Sequence, residues 1–137
     1  MDLKAPLTAA NMQAWYEAVY APWVKAQGLC DFEAREGWFA ARLPQAAGMQ
    51  FSSGAICGQA MMSAIDTVAS MAACTGDRVT KGTVYQHTHF VRPAKGEDLW
   101  FEAKVQRFGK ASALIDVRVT FVGSGELVAQ AMLEFAF

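Results

Sequence analysis

The chain has 137 residues and a formal net charge of −1, with 53% hydrophobic and 18% charged residues. This composition is typical of one globular domain with a well-filled core, and it excludes an intrinsically disordered chain. The near-neutral charge provides no overall basic field for nucleic acid, although short basic stretches can still hold a small phosphorylated ligand.

The cysteines, the N-terminal residues and the longest apolar stretch limit the class of protein further. The three cysteines are odd in number, widely spaced and without a CxxC motif, so we expect neither a disulfide framework nor a zinc site, but reduced thiols in a cytoplasmic protein. Residues 1–28 lack a continuous apolar run, so we expect no signal peptide. Asp66 interrupts the most apolar stretch, residues 55–73, which argues against a membrane span because a central charge is costly in a bilayer.

The first predicted element is a helix from residue 8 to about residue 26, with Thr8 as its N-cap and Gly28 as its stop signal. Pro22 should kink this helix or separate its last turn. Apolar residues recur at steps of three or four and predict one buried stripe: Met12, Trp15, Val19 and Trp23.

Residues 29–43 predict two strands joined by a turn at Glu36-Gly37, and a loop follows over residues 44–54. Residues 55 or 57 to 74 then predict a helix that is rich in Ala and Met and almost uncharged. A helix that is apolar on nearly every side is a buried one. Four β-rich segments complete the chain, at residues 80–92, 98–107, 112–122 and 127–137.

Strict alternation of apolar residues in the third β-rich segment, from Ala113 to Phe121, predicts one buried face. The order is therefore helix, two strands, buried helix and four strands. A long antiparallel sheet wrapped around an apolar helix satisfies this order, which is an α+β architecture. We treat residues 1–137 as one domain, with an N-terminal helical segment over 1–28 and a core over 29–137.

Asp66 is the most informative residue, because it lies midway along the otherwise apolar helix. Burying an unpaired carboxylate costs roughly several kcal/mol. The sequence therefore predicts either a catalytic carboxylate or a structural one that caps a loop or pairs with an Arg across the sheet.

Cys57-Gly58-Gln59 opens the same helix, where free N–H groups and the positive end of the helix dipole can stabilise an oxyanion. The structural alternative is a small residue that starts a helix. Gly58 and Asp66 are about two turns, or roughly 12 Å, apart along the helix axis. One subunit can hardly place both on the same carbonyl, but a homodimer with antiparallel helices can combine Gly58 of one subunit with Asp66 of the other.

Residues 53–67, SGAICGQAMMSAIDT, resemble a motif of the phenylacetate-pathway-type (PaaI-like) acyl-CoA thioesterases, which have the hotdog fold. That motif reads roughly His-Gly-Gly, seven residues, then Asp-Thr or Asp-Asn. Residues 83–94, TVYQHTHFVRPA, resemble the family strand that ends in a Pro-Ala turn. Residues 96–98 and 107–110 match the start and end of the next strand, and residues 128–131 resemble the last strand. The resemblance covers about residues 29–137.

The resemblance implies a hotdog fold that hydrolyses acyl-CoA or a related thioester, with no cofactor beyond the CoA of the substrate and no metal. It implies that Asp66 is the general base or nucleophile, and that Gly58 is the backbone donor to the thioester oxygen. Thr83 falls where a Ser or Thr helps to position the nucleophile, although an ordinary strand Thr is the alternative. Residues 90–95 and 107–112 should bind CoA, and the candidate contacts in these two segments are Phe90, Arg92, Lys95, Arg107 and Lys110. The cations suit phosphate oxygens, with surface solvation as their alternative role.

The sequence departs from the family pattern near the expected thioester. Cys57 stands where the family usually has His, and Gln59 replaces the second Gly. Phe51 occupies the position at which many members carry an Asn or Gln, and Gln50 is one residue away. We include these four residues among the candidate substrate contacts. A thiol nucleophile at Cys57 is a further alternative, because a helix N-terminus activates thiols.

Two other functions stay open at this point. The departures favour a non-catalytic hotdog protein that binds acyl groups or CoA. A hotdog hydratase or dehydratase would need His87 or His89 beside an acid. These two residues share one strand face as metal ligands can, but without a third ligand we predict interface or pocket residues. The expected partners are an acyl-CoA substrate and further copies of the chain, in a homodimer or a dimer of dimers (a homotetramer), and neither nucleic acid nor a membrane.

Overall fold

The computed structural model of the protein describes residues 3–137. The helices are α1 (Met12–Val19), α2 (Pro22–Lys25) and α3 (Gly58–Ala73), with a short 3-10 turn at Ala47–Met49. The strands are β1 (Cys30–Arg35), β2 (Trp38–Leu43), β3 (Gly82–Phe90), β4 (Leu99–Phe108), β5 (Ser112–Phe121) and β6 (Leu127–Ala136). Over this range no helix is both long enough and apolar enough to cross a membrane.

Over residues 3–137 the strands form one antiparallel sheet of six, in the order β1-β2-β4-β5-β6-β3. The central helix α3 packs on one face of this sheet and contacts five of its strands, β2 to β6. A long antiparallel sheet around one helix, with an additional N-terminal helical segment, is the α+β hotdog arrangement, so the predicted fold class is confirmed.

The core lies between α3 and the inner face of the sheet. The alternation predicted for β5 is confirmed, since every second residue from Ala113 to Phe121 is buried. Ala64, Ile65 and Val68 of α3 are fully buried against the sheet. Each large apolar side chain removed from water in this way contributes roughly 1.5–3 kcal/mol to folding. Small residues on α3 let the helix axis approach the strands closely.

One stripe of α3 is not covered by the sheet. Ten of the 16 helix residues are buried. After Gly58, the residues left partly or fully exposed recur at steps of one, three or four and form a single stripe: Gln59, Met62, Ser63, Asp66 and Ser70. The predicted all-round burial therefore does not extend to this stripe, which carries the only acidic residue of the helix.

The edge strand β3 has an irregular register. It pairs with β6 on one side, and no other strand of residues 3–137 pairs with its second side. A β-bulge between Thr83 and Tyr85 interrupts the alternation of faces. Thr83 lies opposite the buried Phe135 on the face that carries α3, whereas Tyr85, His87 and His89 lie on the outer face.

The N-terminal segment differs from the sequence-based prediction. The expected break at Pro22 is observed, because this proline occupies the first turn of α2. The predicted N-cap is wrong: α1 follows Asn11, whose Oδ1 accepts the backbone N–H of Thr8 at 2.7 Å and closes a turn before the helix. The apolar stripe is only partly buried, since Trp15 is 3% exposed and Trp23 is 65% exposed.

Candidate active site

The centre of the candidate site is the carboxylate of Asp66 on the open stripe of α3. Thr83 Oγ1 donates a hydrogen bond to Asp66 Oδ1 at 2.6 Å. Burial raises the pKa of the Asp66 carboxyl above its usual value, and the Thr83 hydrogen bond acts in the opposite direction because it stabilises the charged form. Within residues 3–137 no Arg or Lys forms a salt bridge with Asp66, so the ion pair across the sheet is not observed.

Asp66 and Thr83 line a cavity of about 250 Å³ between α3, β3 and the N-terminal helical segment. Four of its wall residues are apolar: Trp15, Val19, Val79 and Phe135. The hydroxyls of Tyr20 and Ser70, which are hydrogen-bonded to each other, also line it. Thr80 and the cation Lys81 line the same cavity. The carboxylate therefore faces a small space with mixed walls, whose apolar side chains suit the uncharged acyl part of a thioester.

Gly58, the candidate oxyanion donor, begins α3, and no side chain caps this helix end. The backbone N–H groups of the first turn are therefore left for other partners. Gly58 lines a larger cavity of about 570 Å³ together with Phe51 and Phe90. A Cβ atom at position 58 would lie 3.3 Å from Cζ of Phe90, so glycine lets the aromatic ring approach the helix N-terminus closely.

The structure does not bring Gly58 and Asp66 into one site within a chain. They line two different cavities, and no residue lines both. This separation agrees with their spacing of about two helical turns. A single carbonyl group therefore cannot contact both groups of the same chain.

The other candidates near the helix N-terminus divide into two sets. Phe51 and Phe90 are 57% and 50% exposed and line the Gly58 cavity. Gln50 does not line it, and its Nε2 donates to Gln45 Oε1 at 2.8 Å. Cys57 is the half-buried N-cap residue of α3, and Gln59 is exposed on the open stripe.

The four cations expected to contact CoA also fall into two groups. Arg92 lines the Gly58 cavity and forms a salt bridge with Glu126, and Cε of Lys95 lies 3.5 Å from the Cβ position of Gly54 beside this cavity. Arg107 and Lys110 line a separate hollow of about 390 Å³ at the β4–β5 turn. One chain therefore does not gather all four cations around one ligand.

Two residues beside Asp66 were not identified from the sequence. Tyr20 and Ser70 line the Asp66 cavity, and Ser70 lies one turn beyond Asp66 on the same helix face. That spacing was the available signal for Ser70. By contrast, His87 and His89 lie on the outer sheet face, away from Asp66. Over the described residues, the His–acid pair that a hydratase or dehydratase needs is therefore not formed at Asp66.

The fold and this arrangement place the protein among the hotdog proteins. Residues 54–127, slightly more than half of the chain, match the family model of the thioesterase superfamily, and the chain belongs to this family. A comparison with curated protein sequences finds no match.

Solved structures show the same fold at low sequence identity. The E. coli PaaI protein from the phenylacetic acid degradation operon is 23% identical, with 93% of this chain and 90% of that chain covered and a TM-score of 0.81. Zebrafish thioesterase superfamily member 2 is 21% identical, with 95% and 98% covered and a TM-score of 0.80. AziG from S. sahachiroi is 25% identical, with 85% and 95% covered and a TM-score of 0.76.

Proposed function

We propose that the protein hydrolyses acyl-CoA thioesters to a free acid and CoA, and that it is a PaaI-like enzyme. Membership of the thioesterase superfamily supports thioester hydrolysis as the general reaction. The observation that carries the detailed proposal is the pair of Asp66 and Thr83: a partly buried carboxylate that lines a cavity and is oriented by one hydroxyl. Neither route of this hydrolysis requires a cofactor.

Asp66 can act in either of two ways. As a nucleophile, one carboxylate oxygen bonds to the acyl carbon, the C–S bond breaks, and CoA leaves as a thiolate that takes up a proton. Water then hydrolyses the resulting mixed anhydride and releases the acid. As a general base, Asp66 removes a proton from water, which attacks the acyl carbon directly. The C–S bond then breaks, and the CoA thiolate takes up the proton that Asp66 holds. In both cases the Thr83 hydroxyl fixes the direction in which the carboxylate points.

The oxyanion donor comes from a second copy of the chain in this proposal. The N–H of Gly58 at an uncapped helix N-terminus can donate to the developing oxyanion, where the helix dipole adds to its effect. Because Gly58 and Asp66 line different cavities of one chain, Gly58 of the partner subunit must meet Asp66. A two-fold axis then creates two equivalent sites per dimer.

The second side of β3 provides the surface for this dimer. An unpaired strand edge presents N–H and C=O groups that pair with another strand, and exposed apolar patches mark protein–protein contacts. On and beside this edge, Val84, Phe90 and Val91 are 57%, 50% and 48% exposed, and Met62 of the open α3 stripe is 39% exposed. We propose that β3 pairs with β3 of a second copy, so that the two α3 helices run antiparallel.

Arg92 and Lys95 are the preferred phosphate contacts for CoA, because they lie at the Gly58 cavity. Arg107 and Lys110 are the alternative pair. The cysteines Cys30, Cys57 and Cys74 are free thiols, which supports a cytoplasmic location for the enzyme.

A subunit-complementation experiment tests the shared site. Asp66→Asn chains and Gly58→Pro chains, each expected to be inactive alone, are co-expressed and purified through two different tags. Proline removes the N–H at position 58 and is tolerated there because Gly58 is the first residue of α3. A mixed dimer has one site with both defects and one with neither, so the doubly purified mixed dimer should have about half of wild-type activity. If both groups acted within the same chain, every site of the mixture would stay defective and no activity would return.

A non-catalytic acyl-binding protein is the second candidate function. Phe51 lines the Gly58 cavity at the position where many family members carry an amide side chain. A wild-type protein that binds CoA esters but releases no free thiol from any member of an acyl-CoA panel would favour this alternative.

A further inference from the structure

Two histidines that the proposed reaction does not use are adjacent on the outer face of β3. The ring centroids of His87 and His89 are 4.9 Å apart, and both side chains are exposed. They line a hollow of about 280 Å³ whose other residues come from β5 and β6: Asp116, Arg118, Gln130, Ala131 and Met132. Two neighbouring imidazoles on one strand face are suited to bind one divalent transition metal, because Zn²⁺ prefers His nitrogen ligands.

One chain does not complete such a site. Within residues 3–137 no group of three His, Cys, Asp or Glu side chains is placed to hold a metal. Asp116 is separated from His87 by strand β6, where Met132 lies between them, and its Oδ2 accepts a hydrogen bond from Gln106. Further ligands must therefore come from another molecule, and β3 is the edge strand through which we propose that two copies pair.

The shared active site limits how the two β3 strands can pair. In the proposed site, Asp66 of one chain meets Gly58 of the partner subunit. Thr83 bonds to Asp66, and Phe90 packs against Gly58, so Thr83 of one chain must lie near Phe90 of the partner subunit. The two-fold axis then passes close to Gln86 and His87. Side chains that point outward must also lie opposite one another, because residues facing each other across a sheet share a face.

Only a few registers meet both conditions. The three nearest ones place His87 opposite Tyr85, His87 or His89 of the partner subunit. Directly opposite residues have Cβ atoms about 4.5–5.5 Å apart, and diagonal neighbours are about 7–8 Å apart, within reach of long side chains. In each of these registers His87 is opposite or diagonal to an imidazole of the partner, and His89 lies beside it on its own strand.

We infer that His87 and His89 of two subunits form a Zn²⁺ site on the dimer two-fold axis, on the face of the sheet opposite the active site. This inference rests on the proposed dimer, but it concerns a second site with no part in thioester hydrolysis. On a two-fold axis the ligands come in symmetric pairs, so tetrahedral zinc with ligands at about 2.0–2.1 Å takes all four imidazoles. They converge in the register that places His87 opposite His89 of the partner subunit, which is the register that this inference requires. The bound metal links the two edge strands.

The surrounding charges permit a cation at this position. Arg118 lines the same hollow, but in the sheet it lies opposite the carboxylate of Glu102, and Asp116 lies opposite Lys104. The two positive and two negative side chains leave no net charge around the imidazoles. Gln130 lies opposite His89 and is neutral.

The test uses untagged protein that has been treated with EDTA and then titrated with Zn²⁺. We expect one Zn²⁺ per dimer by calorimetry and metal analysis, and none in the His87→Gln and His89→Gln double variant. Zn²⁺ at about 100 times its Kd should lower the dimer dissociation constant about 100-fold, because the metal binds only the paired state. Gln130→Ala, a neighbour on the same face, should keep the wild-type stoichiometry.

The outcomes separate this inference from the proposed function. A dimer that hydrolyses acyl-CoA but binds no Zn²⁺, or one Zn²⁺ per chain, overturns the shared metal site and leaves the proposed function intact. A monomer without hydrolytic activity removes the proposed dimer itself. Loss of Zn²⁺ binding in Gln130→Ala would also contradict the inference, since that side chain supplies no ligand in it.

Discussion

Asp66→Asn should remove most of the turnover of the enzyme. The amide is nearly isosteric with the carboxylate and can still accept the hydrogen bond from Thr83 Oγ1, but it is neither a base nor a nucleophile. Loss of a general base typically lowers kcat by about 10²–10⁴-fold. This range corresponds to about 3–5 kcal/mol of transition-state stabilisation.

Asp66→Asn should keep or raise the stability of the folded protein, as expected for a catalytic and not a structural carboxylate. Burial raises the pKa of Asp66 in the folded protein above its value in the unfolded chain. The resulting stability is fully present below the unfolded pKa and is lost as the pH rises through the folded pKa. Asn does not ionise and avoids this loss, so at neutral pH the Tm of Asp66→Asn should equal or exceed that of the wild type.

The assay is thiol release from acyl-CoA together with thermal unfolding at several pH values, on the same preparations. Asp98→Asn is the matched control, because Asp98 is a structural carboxylate that accepts hydrogen bonds from Arg42 Nη1 at 2.7 Å and from the Gln45 backbone N–H at 3.0 Å. The control should lose stability and keep its kcat. Near-wild-type turnover in folded Asp66→Asn, or a lower Tm with unchanged kcat, would refute the catalytic assignment.

Two further predictions concern the partner of Asp66 and the binding of CoA. Thr83→Val removes a hydrogen bond to a charged group worth about 1.5–3 kcal/mol, so kcat/KM should fall about 10- to 100-fold, while Thr83→Ser should stay near wild type. In the wild type the Thr83 hydrogen bond lowers the pKa of Asp66, so its loss in Thr83→Val should raise that pKa and move the acid limb of the pH–rate profile to higher pH. An acid limb that does not move would contradict this role of Thr83. If Lys95 binds a CoA phosphate, KM for acyl-CoA should rise with salt in the wild type. At low salt Lys95→Gln should raise KM more than Lys110→Gln does, and the KM of Lys95→Gln should depend less on salt. Equal kcat/KM for pantetheine esters and CoA esters would exclude the CoA assignment.

Most of the fold could be predicted because its elements have strong local periodicity. The six strands and the central helix appear within a few residues of their predicted bounds, and the turn at Gly37 has the positive φ of 76° that favours glycine. The prediction was wrong at the start of α1. Residues 8–11 form a turn in which Asn11 Oδ1 accepts the Thr8 N–H, and the helix begins after it, which no periodic pattern reveals.

The candidate site could be predicted only in part. Asp66 was evident because a carboxylate in an apolar helix is costly to bury and therefore conspicuous. The separation of Gly58 from Asp66 followed from the rise of a helix, but the division of the four cations depends on how distant turns pack. Tyr20 follows the end of α1 and bonds to Ser70, which is 50 residues later in the chain, so its place beside Asp66 could not be deduced from local sequence.

The bulge between Thr83 and Tyr85 divides β3 into two segments of opposite phase. Before the bulge an odd-numbered residue faces the helix, and after it the even-numbered residues do. One residue inserted or deleted beside Thr83 would turn its hydroxyl away from Asp66 and leave the rest of the strand in place. The same change beside His87 would turn the imidazoles inward and leave Thr83 where it is. The segment of β3 with Thr83, which bonds to the carboxylate, and the segment with His87 and His89 can therefore change in length independently during evolution.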